Sequence, residues 1–252
     1  PAGLAGFSEG AFEVFGSQLR SLGLRPAQGV GGRGRVDGVR DPKPLEAGAM
    51  INVALIQGDM ELSAAGTVTY IDRETIYAFG HRFLSSGPTQ MPFLRSSVIA
   101  VVPNLNNSFK ISASGEPLGV MDRDRSTGIP GRLGGQADML PLDITLRSGG
   151  DERQYRMKLV NDRSLSAFLL QMALFSAVDT TQRQVGASSY RVSGWVDLGS
   201  GVTPLRLDNM FSGSTGVPLQ LATATAIPLA YLMESDLETL SPRRITPHDH
   251  AP

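Results

Sequence analysis

Three histidines, no cysteine and a scattering of carboxylates limit the chemistry open to this sequence. With no cysteine there is no disulfide, no thiolate metal ligand and no cysteine nucleophile. His248 and His250 flank Asp249 near a proline-rich end, and a lone His-x-His without a second pair of ligands reads as solvated chain rather than a metal site. His81 is placed differently. It sits where a hairpin strand ends, in Phe79-Gly80-His81-Arg82-Phe83, followed by Ser85-Ser86-Gly87-Pro88. A histidine beside glycine at a strand end suits a general base, because imidazole titrates near neutral pH and the strand is a rigid mount. A structural or surface histidine would carry the same local pattern.

Two further side chains could work with it. Asp124, in Asp122-Arg123-Asp124-Arg125, could orient an imidazole and complete a triad, or it could pair with an arginine and shape the turn before Gly128. Ser214, in Phe211-Ser212-Gly213-Ser214-Thr215-Gly216, could be a nucleophile beside a glycine turn, although the string is also ordinary loop composition. Asp59 and Asp72 read as turn residues, and nothing singles out Glu61, Asp138 or Asp143. Gly31-Gly32-Arg33-Gly34 lacks the lysine and the strand-to-helix setting of a phosphate loop.

The elements that must hold these residues are mostly strands. Ala49–Ile56 is a short, apolar, β-branched run, and Gly66–Ile71, the turn Asp72-Arg73-Glu74 and Thr75–Phe79 form a hairpin pattern. Further strands are expected at Ser97–Val102, Phe109–Ala113, Met139–Arg147, Gln154–Val160 and Tyr190–Leu198. Helices are expected from Ser8, as N-cap, to a C′ glycine at Gly23, and over Ser164–Thr180. A weaker helix, Leu219–Met233, has Pro228 inside it. The fold class is therefore mostly β with a few helices (α+β). The chain divides into an N-terminal helix with a Gly/Arg/Pro-rich linker over 1–44, a β domain over 45–240 with an inserted helix at 164–180, and a flexible tail over 241–252.

The 252 residues carry 23 basic and 24 acidic side chains, a balance with no footprint for nucleic acid or an anionic membrane. No apolar run reaches the roughly 18 residues of a membrane span. The longest, Leu165–Val178, contains Ser166, Gln171 and Ser176.

Gly58-Asp59, then Gly66-Thr67-Val68-Thr69-Tyr70-Ile71-Asp72, then Ala78-Phe79-Gly80-His81 resembles the signature of the SpoIVB sporulation peptidase family. Its large exported bacterial members are similar at Pro1-Ala2-Gly3-Leu4 and at Asp124-Arg125-Ser126-Thr127-Gly128-Ile129-Pro130-Gly131. The resemblance implies a chymotrypsin-like β-barrel architecture, a polypeptide substrate, no metal or organic cofactor, an exported periplasmic or envelope location, and His81 as general base for a serine. The family's Gly-Met-Ser-Gly-Ser-Pro nucleophile motif does not occur here. In the large members it is expected upstream of the Pro-Ala-Gly-Leu stretch, so the serine would come from an upstream fragment of the same precursor, and an isolated chain would be inactive. The rival expectation is a catalytically inactive binding or scaffolding subunit of an envelope complex, with the Leu165–Val178 helix docking a protein partner if it is exposed.

Overall fold

The computed structural model describes residues 2–29, 44–84, 87–103, 109–148, 150–181, 186–199, 201–235 and 242–250. Most of the expected linker, residues 30–43, lies outside them. The chain forms two compact units: residues 1–6 with 15–138, and residues 7–14 with 139–252. The single β domain expected over 45–240 is thus divided at residue 138.

Among the described residues the first unit holds eight strands: β1 (Ala2–Ala5), β2 (Pro26–Gln28), β3 (Met50–Gly58), β4 (Glu61–Asp72), β5 (Thr75–Ala78), β6 (Gly87–Val102), β7 (Phe109–Asp124) and β8 (Ile129–Leu133). Their antiparallel ladders run β3–β4–β5–β8–β7–β6 and return to β3. Strand β1 adds to β4, and β2 pairs with β1 in parallel. The apolar run of β3 is buried on both faces, from Ile51 to Ile56. That is why it reads as continuous hydrophobicity rather than alternation. The β4–β5 hairpin turns at Arg73, whose φ of 54° is the left-handed conformation of a tight turn.

Two of these strands are longer than their sequence signals. β6 and β7 run 16 residues each, whereas the strands expected there covered only Ser97–Val102 and Phe109–Ala113. Pro88 interrupts the pattern of β6 where the β6–β7 register shifts between Pro88 and Met91, while Pro92 keeps regular register opposite Val120. Proline enters a strand at such irregularities because it has no N–H to give to the ladder.

Helix α1 (Glu9–Ser21) carries both expected caps. The Ala11 N–H donates to Ser8 Oγ at 3.2 Å. At the other end Gly23 has φ 85°, its N–H donates to the Arg20 carbonyl, and the Leu24 N–H donates to the Leu19 carbonyl. This is the Schellman arrangement, with Leu19 and Leu24 both buried.

The second unit has a five-stranded sheet in the order β12 (Leu205–Gly213), β11 (Ser188–Asp197), β13 (Arg244–His250), β9 (Met139–Ser148), β10 (Asp151–Val160). Helices α2 (Ser166–Asp179) and α3 (Val217–Glu234) pack on it, α2 against β9 and β10, and α3 against β11 and β12. Helix α2 follows a turn in which Asp162 Oδ1 accepts the Ser164 and Leu165 N–H groups at 2.9 and 3.1 Å. Ten of its residues are buried, so it forms core and offers no exposed docking face of the kind the scaffold expectation required. Helix α3 runs through Pro228, and Pro218 occupies its first turn, where no amide is needed.

Where a flexible tail was expected, Arg244–His250 is β13, antiparallel to β11 and parallel to β9. Pro247 sits opposite Gly194. A Cβ on Gly194 would stand 2.0 Å from the Thr246 carbonyl oxygen, so a glycine there is what admits this strand. Among the described residues no helix is long and apolar enough to cross a membrane.

Candidate active site

The His81 turn is built by strain that its surroundings hold in place. After β5 the chain takes two left-handed residues in succession, Phe79 at φ 72° and Gly80 at φ 68°. Glycine does this freely, but a side chain with a Cβ is disfavoured by about 1–2 kcal/mol. Phe79 is held there from three directions. Its N–H donates to the Thr67 carbonyl at 3.0 Å. Its ring lies over Gly66, where a Cβ would come within 2.3 Å of ring carbon Cε2. The ring also meets Phe83, with centroids 5.4 Å apart, and stands edge-on to the His81 imidazole at 5.8 Å. The glycine of the Gly-Thr-Val-Thr string is therefore the seat of the aromatic residue that turns the chain into His81.

His81 is exposed, and its Nδ1 lies 2.6 Å from the Arg82 carbonyl oxygen. A carbonyl only accepts, so this contact assigns the proton to Nδ1 and the lone pair to Nε2. That tautomer can take a proton from a hydroxyl or a water. In the familiar triad a carboxylate holds Nδ1, whereas here a main-chain oxygen does so.

Asp124 acts one step further along the loop. Its carboxylate is buried, and it accepts the Phe83 N–H at Oδ1 (2.8 Å) and the Leu84 N–H at Oδ2 (2.5 Å). In the same run Asp122 accepts from Arg132 at 3.0 Å. The Asp124–Gly131 string lies alongside the histidine turn: Ile129 is the ladder partner of Ala78, and a Cβ on Gly128 would come within 3.2 Å of the Ala78 carbonyl oxygen. Two strings separated by some forty residues thus meet on one turn, through a carboxylate at one end and a glycine at the other.

Beside His81 opens a cavity of about 430 Å³, walled by Ser21–Leu24 after α1, by Ala64 and Ala65 of β4, and by Phe79 and His81–Leu84. Ser21 is the hydroxyl residue of this wall, and its Oγ donates to the Gln18 carbonyl at 2.7 Å. It stands at a helix C-terminus, where carbonyl dipoles oppose a developing oxyanion. That is poor support for a nucleophile.

Ser214 belongs to the second unit, on the exposed turn between β12 and α3. Gly216, at φ 69°, is the residue before α3. Ser212 Oγ, two residues earlier, shares a hydrogen bond with Ser189 Oγ at 2.9 Å. His248 and His250 are backbone members of β13. Among the described residues no group of three or more His, Asp or Glu side chains is arranged to hold a metal ion.

Sequence reasoning singled out His81 and Asp124 and quoted Gly66 and Phe79 only as part of a signature, with no role for either or for the Arg82 carbonyl. Only the Phe-Gly-His string hinted at them, since an aromatic before a strand-ending glycine has to be turned somewhere. No protein-family model matches this sequence, and no curated protein or solved structure matches it either.

Proposed function

We propose that this chain is the histidine-bearing section of an exported SpoIVB-type serine endopeptidase, with His81 as general base and the nucleophilic serine supplied by a section outside these residues. The observation that carries the reading is the His81 turn, an exposed imidazole with Nδ1 on a carbonyl and Nε2 as acceptor, on a strained and clamped backbone. The circuit of six antiparallel ladders supports a barrel of the chymotrypsin-like kind for the unit that carries it. In the reaction, the serine Oγ–H proton passes to Nε2 as Oγ attacks the peptide carbonyl carbon. The same proton then goes to the leaving amine, and water repeats the sequence to free the acid. Asp124 is a positioning residue in this scheme, since it fixes the loop that carries the imidazole.

The rival reading, an inactive binding subunit, draws on one observation. The outer part of β6 exposes Val98, Ile99 and Val101, an apolar stretch suited to a protein partner. Labelling with a fluorophosphonate serine probe separates the two. The longer precursor should label on a serine outside this chain, and His81→Ala should reduce the rate at least a hundredfold. An unlabelled precursor, beside a serine hydrolase that labels under the same conditions, would leave the binding reading in possession.

A further inference from the structure

We infer that the open face of the second unit's sheet binds an uncharged polysaccharide, a β-1,4-linked chain of gluco-configured pyranose rings that stack on Trp195. The inference does not depend on the peptidase reading. Along β11, Tyr190, Val192 and Val196 are buried on the side that carries the helices, so Arg191, Ser193 and Trp195 alternate onto the other face. Trp195 is the single tryptophan of the chain and is 46% exposed there. β12 and β13 run on either side of it, with Arg206 and Thr246 as its ladder partners. An indole so placed offers an apolar surface on a rigid support, but a lone exposed ring gains meaning only from the groups around it.

Those groups are planar, polar and already oriented. Asp208 accepts from Arg191 at 3.1 Å and from Arg206 at 2.9 Å. On the far side of Trp195, Arg244 donates to Asp143 at 2.6 Å. Further out, Arg147 donates to Glu152 at 2.8 Å, and the other Glu152 oxygen takes Gln154 Nε2. A guanidinium has five N–H donors and a carboxylate about four acceptor sites, so both kinds keep capacity after pairing. Each also presents two polar atoms side by side, an arrangement that meets two adjacent ring hydroxyls at once. In a gluco-configured ring every hydroxyl is equatorial, which leaves the two ring faces to C–H groups that fit the indole. A β-1,4 linkage keeps successive rings extended, and the five strands span about 19 Å from β12 to β10, enough for several rings.

The charges argue against other occupants. The four arginines share three carboxylates, so a phosphodiester chain meets an anion beside each of these cations. Arg156 and Lys158 add positive charge only on β10, away from Trp195. A protein partner would strip water from all seven paired groups, which the two exposed large apolar side chains of the face, Trp195 and Met210, would not offset. Sugar hydroxyls take the place of that water and keep the pairs hydrogen-bonded.

With a single tryptophan, the emission of the intact chain reports on this face alone. Cellohexaose should shift that emission and saturate it. Maltohexaose, whose α-linkages curl the chain, should bind about tenfold more weakly, and a thymidine hexanucleotide at about 0.15 M salt should leave the emission unchanged. By calorimetry, Trp195→Ala should weaken cellohexaose binding about tenfold, as loss of a stacked ring does. Trp195→Tyr keeps a ring to stack on and should stay within about threefold, which separates loss of the site from loss of the fold. Cellohexaose that gives neither signal, or binds Trp195→Ala as well as the parent chain, overturns the assignment, and equal binding of maltohexaose overturns the linkage. Tighter binding of the hexanucleotide overturns it in favour of a nucleic-acid surface. Emission that shifts with protein concentration alone, with a dimer in sedimentation, overturns it in favour of a contact between copies.

Discussion

Two strand-ending turns of this chain carry a residue that could do acyl-transfer chemistry, and they are built in opposite ways. The turn after β5 places His81 by means of a left-handed phenylalanine, a glycine with room for nothing larger beneath its ring, and a buried carboxylate on two amides. The turn after β12 places Ser214 on exposed backbone, with its left-handed position given to Gly216, which bears it without strain. Strain survives only where the surroundings over-determine it, and such positions gather at functional sites. By that measure the first turn is specified and the second is a connection.

Breaking the specified turn should show the largest effect. Asp124→Ala leaves two amides of the His81 loop without their acceptor, and hydrogen bonds to a charged group are each worth about 1.5–3 kcal/mol. We expect a loss of about 3 kcal/mol in urea unfolding, together with loss of His81-dependent labelling of the precursor. Ser214→Ala, by contrast, should stay within about 0.5 kcal/mol, as exposed substitutions do. If the two variants behave alike, the contrast between the turns is wrong.

Gly66→Ala sharpens the comparison from beneath. Its new Cβ would stand 2.3 Å from the Phe79 ring, so the ring must move. Overpacking of this kind costs about 1–3 kcal/mol. In a double-mutant cycle with Phe79→Ala the two changes should couple, because the second removes the clash made by the first. Additive effects would mean that Phe79 is held by something other than its seat on Gly66.

The smallest effect is expected on the polar face of the second unit. The hydrogen bond from Arg191, the largest influence, holds the Asp208 carboxyl below its ordinary pKa against desolvation, with the charge of Arg191 and then Arg206 adding to the same side. A carboxylate whose folded pKa is depressed stabilises the fold above its unfolded pKa, and loses that contribution as pH falls through the folded value. Asp208→Asn should therefore flatten the acid limb of the stability profile below about pH 4 and leave the His81 turn unchanged. The pair is exposed to solvent, so the change should be slight and should shrink in salt.

Much of this architecture was legible in the sequence, for reasons that particular residues supply. The β4–β5 hairpin announced itself by period-two alternation around Asp72-Arg73-Glu74, and α1 by Ser8 and Gly23, because local patterns report local structure. His81 was legible as a strand-end histidine. What escaped depends on distant partners. Asp124 was read as a partner for a ring or a guanidinium, whereas its bonds to the Phe83 and Leu84 main-chain amides carry no sequence signature. β1 carried no strand signal, since Ala2-Gly3-Leu4-Ala5 gains its strand character only from its partners β4 and β2. β13 was hidden by Pro247 and by partners that begin about fifty and one hundred residues earlier.

That strand has a consequence for how the second unit is made. β13 lies between β9 and β11, so those two strands have no direct ladder to each other and must wait for residues 244–250 to be synthesised and delivered. Closing loops of that length before any reward is collected makes sheet assembly slow, the more so for a parallel pairing. During the wait, the facing edges of β9 and β11 carry unsatisfied main-chain groups, a template for mispairing with any extended chain nearby. A nascent chain stalled before Arg244 would thus leave those two edges open, and a folding helper acting on this protein would have work to do there.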